Sequence, residues 1–379
     1  MRVVVISVLA LLGTQDELPA RLAAISPNSW LDLGLPWRGG HEVPACFDQA
    51  NRLFFKYGGC GDHSERIHVE DSKRPDETYG NSCWVVNLAT GKWEMRRPRD
   101  QGFPKDRPAN GCSRNYSYDS SRKVIWMYGG ISNGGGGGDP WDFWAYDGKM
   151  DAFTQANSKG RPRGGDDSGG DVFTYDPIHD LIVMPRGEST WIYRPGVRTW
   201  EERKTPGAPP APGHYGSITF DVGARRLVYP VNLPTGKTAD ERPEDTDTTY
   251  WRHSDRTKKF HEYALQTWTY DPGEQVWAKL NPPQQPPPRA RFGLAYDSRN
   301  KVVILVGGST DTWDDHERYF NDVWVLATGT ATWTKMGPPP PLPEGHQAWR
   351  DCRHCAYDEP DNVVLWHPPN GHLWAYRYR

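Results

Sequence analysis

The chain has 379 residues, a formal net charge of −3, 36% apolar residues and a mean hydropathy of −0.79. With no excess of positive charge and no basic stripe, nucleic acid is excluded as the expected partner. No apolar run after the N-terminus is long enough to span a bilayer. Instead, 18 Trp and 18 Tyr supply bulk for a core, while 39 Gly and 34 Pro fit many short strands and turns.

At the N-terminus one Arg precedes the apolar run Val3–Leu12. This reads as the core of a signal peptide, assigned to residues 1–14, and predicts a secreted or periplasmic protein with no membrane contact after its removal. Residues 15–379 then form a single domain. Next comes Asn28-Ser29-Trp30-Leu31-Asp32-Leu33, patterned like an outer strand but with no aromatic nine residues before it.

From there the chain repeats. An aromatic–Asp pair (Phe47-Asp48, Tyr118-Asp119, Tyr175-Asp176, Phe220-Asp221, Tyr296-Asp297, Tyr357-Asp358) precedes an apolar strand, which ends eleven residues after the aromatic. A second module follows, two aromatics nine residues apart: Trp84 and Trp93, Trp144 and Phe153, Trp191 and Trp200, Trp268 and Trp277, Trp324 and Trp333. The last copy, Trp374, has no partner before Arg379, and Trp30 is the natural candidate. Four short strands per copy predict an all-β ring of six blades, with residues 28–35 as the outer strand of the last blade and no open sheet edge.

Aromatic–Asp, Gly-Gly and paired Trp in this order resemble kelch repeats. Copy five is the closest match, with Tyr296-Asp297, Gly307-Gly308, Asn321-Asp322-Val323-Trp324 and Trp333. The resemblance implies a six-bladed kelch-type β-propeller, similar to the kelch domain of galactose oxidase. That enzyme's copper ligands and Tyr-Cys cofactor have no counterpart here. In such propellers the second-to-third-strand loops and the blade-to-blade loops share one face. The long connections of blades one, two, four and five would therefore wall one mouth of the central channel.

Fold alone does not specify function, so the candidate site is read from the leading ends of the inner strands, which should rim that mouth. They carry His41, Arg114, His214-Tyr215, Arg291, Arg353 and His354. Guanidinium groups grip carboxylates, sulfates or phosphates bidentately, although Arg and His at these positions can equally serve to bond neighbouring backbone. Trp251, Trp313 and Trp349 stand outside the repeat and could offer platforms for sugar rings.

Arg and aromatics together point to a saccharide or another anionic small ligand as partner, an acidic saccharide first. If there is chemistry, lyase or epimerase action on a uronic-acid-type sugar suits the residues best. The guanidinium groups would neutralise the carboxylate, and His214 or Tyr215 would move the proton. A non-catalytic interaction scaffold is the other class. No cofactor is expected; the carboxylates Asp311, Asp314, Asp315 and Glu317 would suit calcium if any metal, but match no EF-hand loop. Cys60 and Cys83 bracket the long blade-one connection, and a disulfide between them would tie its base.

Overall fold

In the computed structural model the described residues are 18–36, 38–40, 43–60, 79–98, 105–109, 111, 114–130, 142–156, 160, 162, 172–209, 216–310, 317–337, 353–368 and 371–379. The signal-peptide segment 1–14 lies outside them. A short helix α1 (Leu18–Ala23) leads into strand β1 (Ser29–Pro36). Blade one is β2 (Cys46–Asp48), β3 (Leu53–Cys60), β4 (Tyr79–Asn87) and β5 (Lys92–Arg97). Blade two is β6 (Asn115–Asp119), β7 (Val124–Tyr128), β8 (Phe143–Asp147) and β9 (Ala152–Gln155). Blade three is β10 (Thr174–Asp176), β11 (Leu181–Arg186), β12 (Ser189–Arg194) and β13 (Thr199–Lys204).

Blade four holds β14 (Thr219–Asp221), β15 (Arg226–Ala239), β16 (Tyr250–Ser254), β17 (Lys259–Asp271) and β18 (Val276–Leu280). Blade five is β19 (Gly293–Asp297), β20 (Val302–Val306), β21 (Val323–Ala327) and β22 (Thr332–Lys335). Blade six is β23 (Cys355–Asp358), β24 (Val363–Trp366) and β25 (His372–Arg377), completed by β1. Every pairing within the blades is antiparallel.

The aromatic–Asp motif explains how one blade is built and how it meets the next. Each Asp is buried at the end of an inner strand and caps the turn that follows. Asp119 Oδ1, for example, accepts the amides of Ser121 at 3.0 Å and Arg122 at 2.9 Å. Four residues after the Asp the backbone turns left-handed, at Arg52, Lys123, Asp180, Arg225, Lys301 and Asn362. The tyrosine reaches the turn of the preceding blade: Tyr118 Oη accepts from Ala50 N at 3.1 Å, and Tyr296 Oη from Gly223 N at 2.8 Å. Tyr175 Oη bonds Ser121 Oγ at 2.8 Å. Capping and blade-to-blade contact thus come from two adjacent residues.

The nine-residue spacing is a pairing register. The residue two after the first Trp faces the second aromatic across the hairpin: Val86 and Trp93, Tyr146 and Phe153, Tyr193 and Trp200, Tyr270 and Trp277, Leu326 and Trp333. In blade six the same role falls to Tyr376 and Trp30, from opposite ends of the chain. The expected closing strand is therefore present, as Ser29–Pro36 rather than 28–35. Asn28, left-handed at +53°, stands where the other third-to-fourth-strand turns place their left-handed residue.

Inner strands β2, β6, β10, β14, β19 and β23 each touch the next, and β23 touches β2, so the ring is closed. Six apolar clusters fill the six junctions between neighbouring blades. The core is a ring of interfaces rather than one central mass. At the closing junction Phe47 lacks the hydroxyl found in Tyr118, and other groups take over. Gln49 Nε2 donates to Tyr357 O at 2.6 Å, and Arg52 pairs with Asp358 at 2.9 Å and with Asp361. Helix α1, which the sequence pattern did not announce, sends Leu18 and Leu22 into the same junction.

Blade four corrects one expectation. Its insertion is not a structureless loop: β15 and β17 continue past the blade and take β16 as a further strand, making a five-stranded sheet. The ribbon leans on blade five, where Arg318 Nη1 donates to Thr246 O at 3.1 Å and Arg318 Nε lies 3.8 Å from Asp245.

Closure by β1 yields the first prediction. Removing residues 18–36 leaves β25 with an open edge and strips the closing junction of Leu18, Leu22 and Leu33. The truncated protein should lose its cooperative thermal transition or aggregate at the parent's working concentration. Unfolding followed by circular dichroism with light scattering checks it; a parent-like melt would contradict the closing role.

Candidate functional site

The leading ends of the inner strands encircle one end of the ring axis, and in the described residues they are densely cationic. Arg114, Arg289, Arg291, Arg353, His354 and His367 are all buried there, with Lys56 beside them on β3. Burying a charge costs several kcal/mol unless it is compensated. Two of these cations pair with aspartates. Arg114 pairs with Asp142 at 2.5 Å, and Arg289 pairs with Asp322. Each Asp sits two residues before a repeating Trp and also accepts its indole N–H: Trp144 Nε1 at 2.7 Å and Trp324 Nε1 at 2.9 Å. Blade four uses the uncharged version, Trp268 Nε1 donating to Gln266 Oε1 at 3.2 Å.

Arg114, expected as a ligand group, thus already neutralises an Asp that orients a core Trp. Its field and that of Arg353 both reach Tyr116, whose hydroxyl donates to Tyr57 O at 2.6 Å; burial pushes that phenol well above its ordinary value. Two of the sequence-chosen cations, from blades two and six, therefore share one neighbourhood across the inner end of blade one. Arg289, two residues before Arg291 in the same leading segment, is fully buried with its guanidinium 4.0 Å from the Phe320 ring. The sequence signal of its pairing is Asp322 ahead of Trp324, matching Asp142 ahead of Trp144.

Arg291 is different. Thirteen non-glycine residues have positive φ among those described. Six lie in the turns after the anchor Asp, five (Asn28, Asp151, Arg198, Gln275 and Ala331) lead fourth strands, and Lys258 turns the extra hairpin of blade four. Arg291, at +56° and 1% exposed, belongs to no such turn. It sits between Ala290, which bridges to Ser309, and the start of β19. A left-handed Arg costs on the order of 1–2 kcal/mol and persists only where its surroundings over-determine it.

At the closing junction the His367 backbone N–H donates to His354 O at 2.9 Å, and the charges of His354 and Lys56 reach the His367 ring. His367 packs 5.2 Å from Trp93 and 6.3 Å from Phe54, ring centre to ring centre, and Lys56 Nζ donates to Arg38 O at 2.7 Å. Burial first, then the Lys56 and His354 charges, hold the His367 imidazole well below its usual range and so keep it neutral. His354 therefore belongs to a buried interface between blades rather than to an open surface.

His41, His214, Tyr215, Trp313 and Trp349 lie outside the described residues, as do Asp311, Asp314 and Asp315 of the calcium reading. Trp251, expected as an exposed platform, is instead 8% exposed, covered within the blade-four extension beside the stacked pair Tyr250–Tyr263. The disulfide expectation also needs correction. Cys83 is a free buried thiol opposite Tyr57, while Cys60 pairs with Tyr79 further along the ladder. Three positions of β3 separate Tyr57, the partner of Cys83, from Cys60, so the two cysteines do not face each other. Burial raises the Cys46, Cys83 and Cys355 thiols far above their ordinary value, which makes them inert core residues.

The architecture defines the class: an all-β, six-bladed propeller of the kelch type, closed by its N-terminal strand. Among solved structures, that of YjhT matches over 91% of this chain and 94% of its own, with a TM-score of 0.53 and 11% identity. A likeness at that identity shows the fold alone. No protein-family model and no curated protein matches the sequence.

His367 yields the second prediction. Because its folded pKa is depressed, the unfolded chain binds the extra proton more readily. The stability it contributes is complete above its ordinary value of 6.5 and is lost as pH falls below that. Below pH 6.5 the parent should lose stability more steeply than a His367→Gln variant, by up to about 1.4 kcal/mol per pH unit. Urea denaturation at several pH values measures the difference; parallel slopes would show that His367 does not titrate on unfolding.

Proposed function

We propose that this propeller binds an acidic saccharide at the channel mouth, with Arg291 as the group that receives the carboxylate. The observation that carries the reading is Arg291 itself: a buried guanidinium in a left-handed conformation that no tight turn requires. Strain of this kind concentrates where a side chain must be aimed. A planar guanidinium engages a carboxylate through two parallel hydrogen bonds, which gives orientation as well as affinity.

The company Arg291 keeps supports a sugar acid over a simple anion. Arg353 stands at the matching end of the neighbouring blade six, and Ser309, a buried hydroxyl, bridges to Ala290 next to Arg291. Such a group suits a sugar hydroxyl. The blade-four ribbon, docked on blade five through Arg318, gives the mouth a rigid wall.

Calorimetric titration with trigalacturonate and with a neutral galactose trisaccharide tests the reading. The parent should prefer the acidic sugar. Arg291→Gly, which keeps the left-handed backbone without strain, should weaken acidic binding by about 1–3 kcal/mol, and a melting curve taken in parallel separates lost affinity from lost packing. Equal affinity for both sugars, or a variant that binds like the parent, would place the function elsewhere.

A further inference from the structure

Because every blade is antiparallel, its first-to-second and third-to-fourth connections lie on the face opposite the mouth. Blades two to five place eight turns there: 120–123, 148–151, 177–180, 195–198, 222–225, 272–275, 298–301 and 328–331. Six cations in them, Lys123, Lys149, Arg198, Arg225, Arg299 and Lys301, are exposed and form no ion pair among the described residues. Of the carboxylates in the same turns, Asp180 is bound by Arg122 and Asp151 by Arg97, which leaves Glu274 exposed and unpaired. The net charge of −3 hides this face, because the balancing carboxylates lie elsewhere in the chain.

The backbone does not ask for positive charge at these positions. Lys123, Arg198, Arg225 and Lys301 are the left-handed residues of their turns, at +59°, +56°, +56° and +56°. Gly, Asn or Asp meets that conformation with less strain, and the equivalent positions of blades three and six hold Asp180 and Asn362.

Aliphatic side chains stand between the cations. Met150 is 69% exposed, Val197 65% and Val222 44%, and Val276 opens the strand after the fourth-blade turn at 57%. Met150 follows Lys149, Val197 precedes Arg198, and Val222 shares a turn with Arg225. The turns that carry them are tight. Asp147 Oδ1 accepts the amides of Lys149 and Met150, both at 2.9 Å, and Arg194 O accepts those of Val197 at 3.2 Å and Arg198 at 2.8 Å.

The chain also enters the fold on this side. Leu18 lies against Gly91 of the blade-one turn between β4 and β5, where a Cβ would come within 3.4 Å of Leu18 Cδ2. The segment that carries the apolar run Val3–Leu12 is therefore joined to the propeller at the same face.

We propose that this turn face docks on an anionic phospholipid surface, which leaves the saccharide mouth pointing away from the bilayer. A protein partner would want a contiguous apolar centre, whereas here single aliphatic tips alternate with cations. A fluid surface suits that spacing: each tip enters the acyl boundary independently while Lys and Arg hold the headgroups. The expectation of no membrane contact rested on net charge and the lack of a second apolar run, neither of which registers charge gathered on one face.

Flotation with vesicles of phosphatidylcholine alone, or mixed equally with phosphatidylglycerol, tests this for the full chain and for the same chain without residues 1–14. Both should float with the anionic vesicles in preference to the neutral ones, and salt should weaken the binding. Lys123→Asn, Arg225→Asn and Lys301→Asn together keep left-handed turns and should lower anionic-vesicle affinity about a hundredfold, on the basis of roughly fivefold per cation. Met150→Ser with Val197→Ser should lower it by at least about fivefold. Melting curves taken in parallel confirm that each variant is folded, and trigalacturonate affinity should be unchanged because the mouth lies at the other end. A triple Asn variant or a double Ser variant that binds like the parent overturns the docking arrangement. Binding that disappears with residues 1–14 would make the N-terminal run the anchor and overturn it too. Tighter binding of polyglutamate than of anionic vesicles would give the face to an acidic protein instead.

Discussion

The buried aspartate that ends each inner strand is the constraint from which the rest of this propeller follows. Its carboxylate caps the next turn, the turn demands a left-handed residue, and that residue starts the second strand in register. The aromatic beside it points at the neighbouring blade and, where it is a tyrosine, bonds that blade's turn. A single dipeptide therefore determines both the interior of a blade and its distance from the next. Because burial is shared among six junctions, each blade depends on both neighbours for its apolar cover.

Much of this was legible in the amino-acid order because it repeats. Two aromatics nine apart are a hairpin register, and Trp30 paired with Tyr376 obeys the same rule across the chain ends. What the repeat did not mark was harder to read. Helix α1 has no counterpart in the other blades, and the ladder of β15, β16 and β17 hides in a stretch of dense mixed charge. The cysteines illustrate the limit: bracketing a loop suggests adjacency, but Cys83 pairs with Tyr57, three positions short of Cys60 on β3.

The site was half legible for a related reason. Position in the repeat assigns Arg114, Arg291, Arg353 and His354 to the leading ends of the inner strands, and all four are buried. It could not tell which cations were already committed. Arg114 and Arg289 serve aspartates that hold Trp144 and Trp324, so the guanidinium is part of the same arrangement that orients the core indole. Arg291 differs in its backbone, a property that residue type does not announce. Trp251 stands outside the repeat yet is buried, because β16 adds a strand to the blade and covers side chains that a loop would leave exposed.

The joint between β1 and β25 also bears on how the molecule comes to be folded. Tyr376 and Asn28, which are hydrogen-bonded, are separated by 348 residues. Blades one to five can each zip up from local hairpins as the polypeptide leaves the ribosome, but blade six cannot, since its outermost strand precedes blade one and its partner follows blade five. Until β25 emerges, β1 must wait, and the nascent ring carries a gap flanked by unsatisfied edges. Loop-closure entropy grows only logarithmically with length, so the final step is limited less by bringing distant ends together than by keeping them from other partners meanwhile. Asp32 on the waiting strand, and the bulge that follows it, break up the flat apolar edge that stray strands would otherwise find.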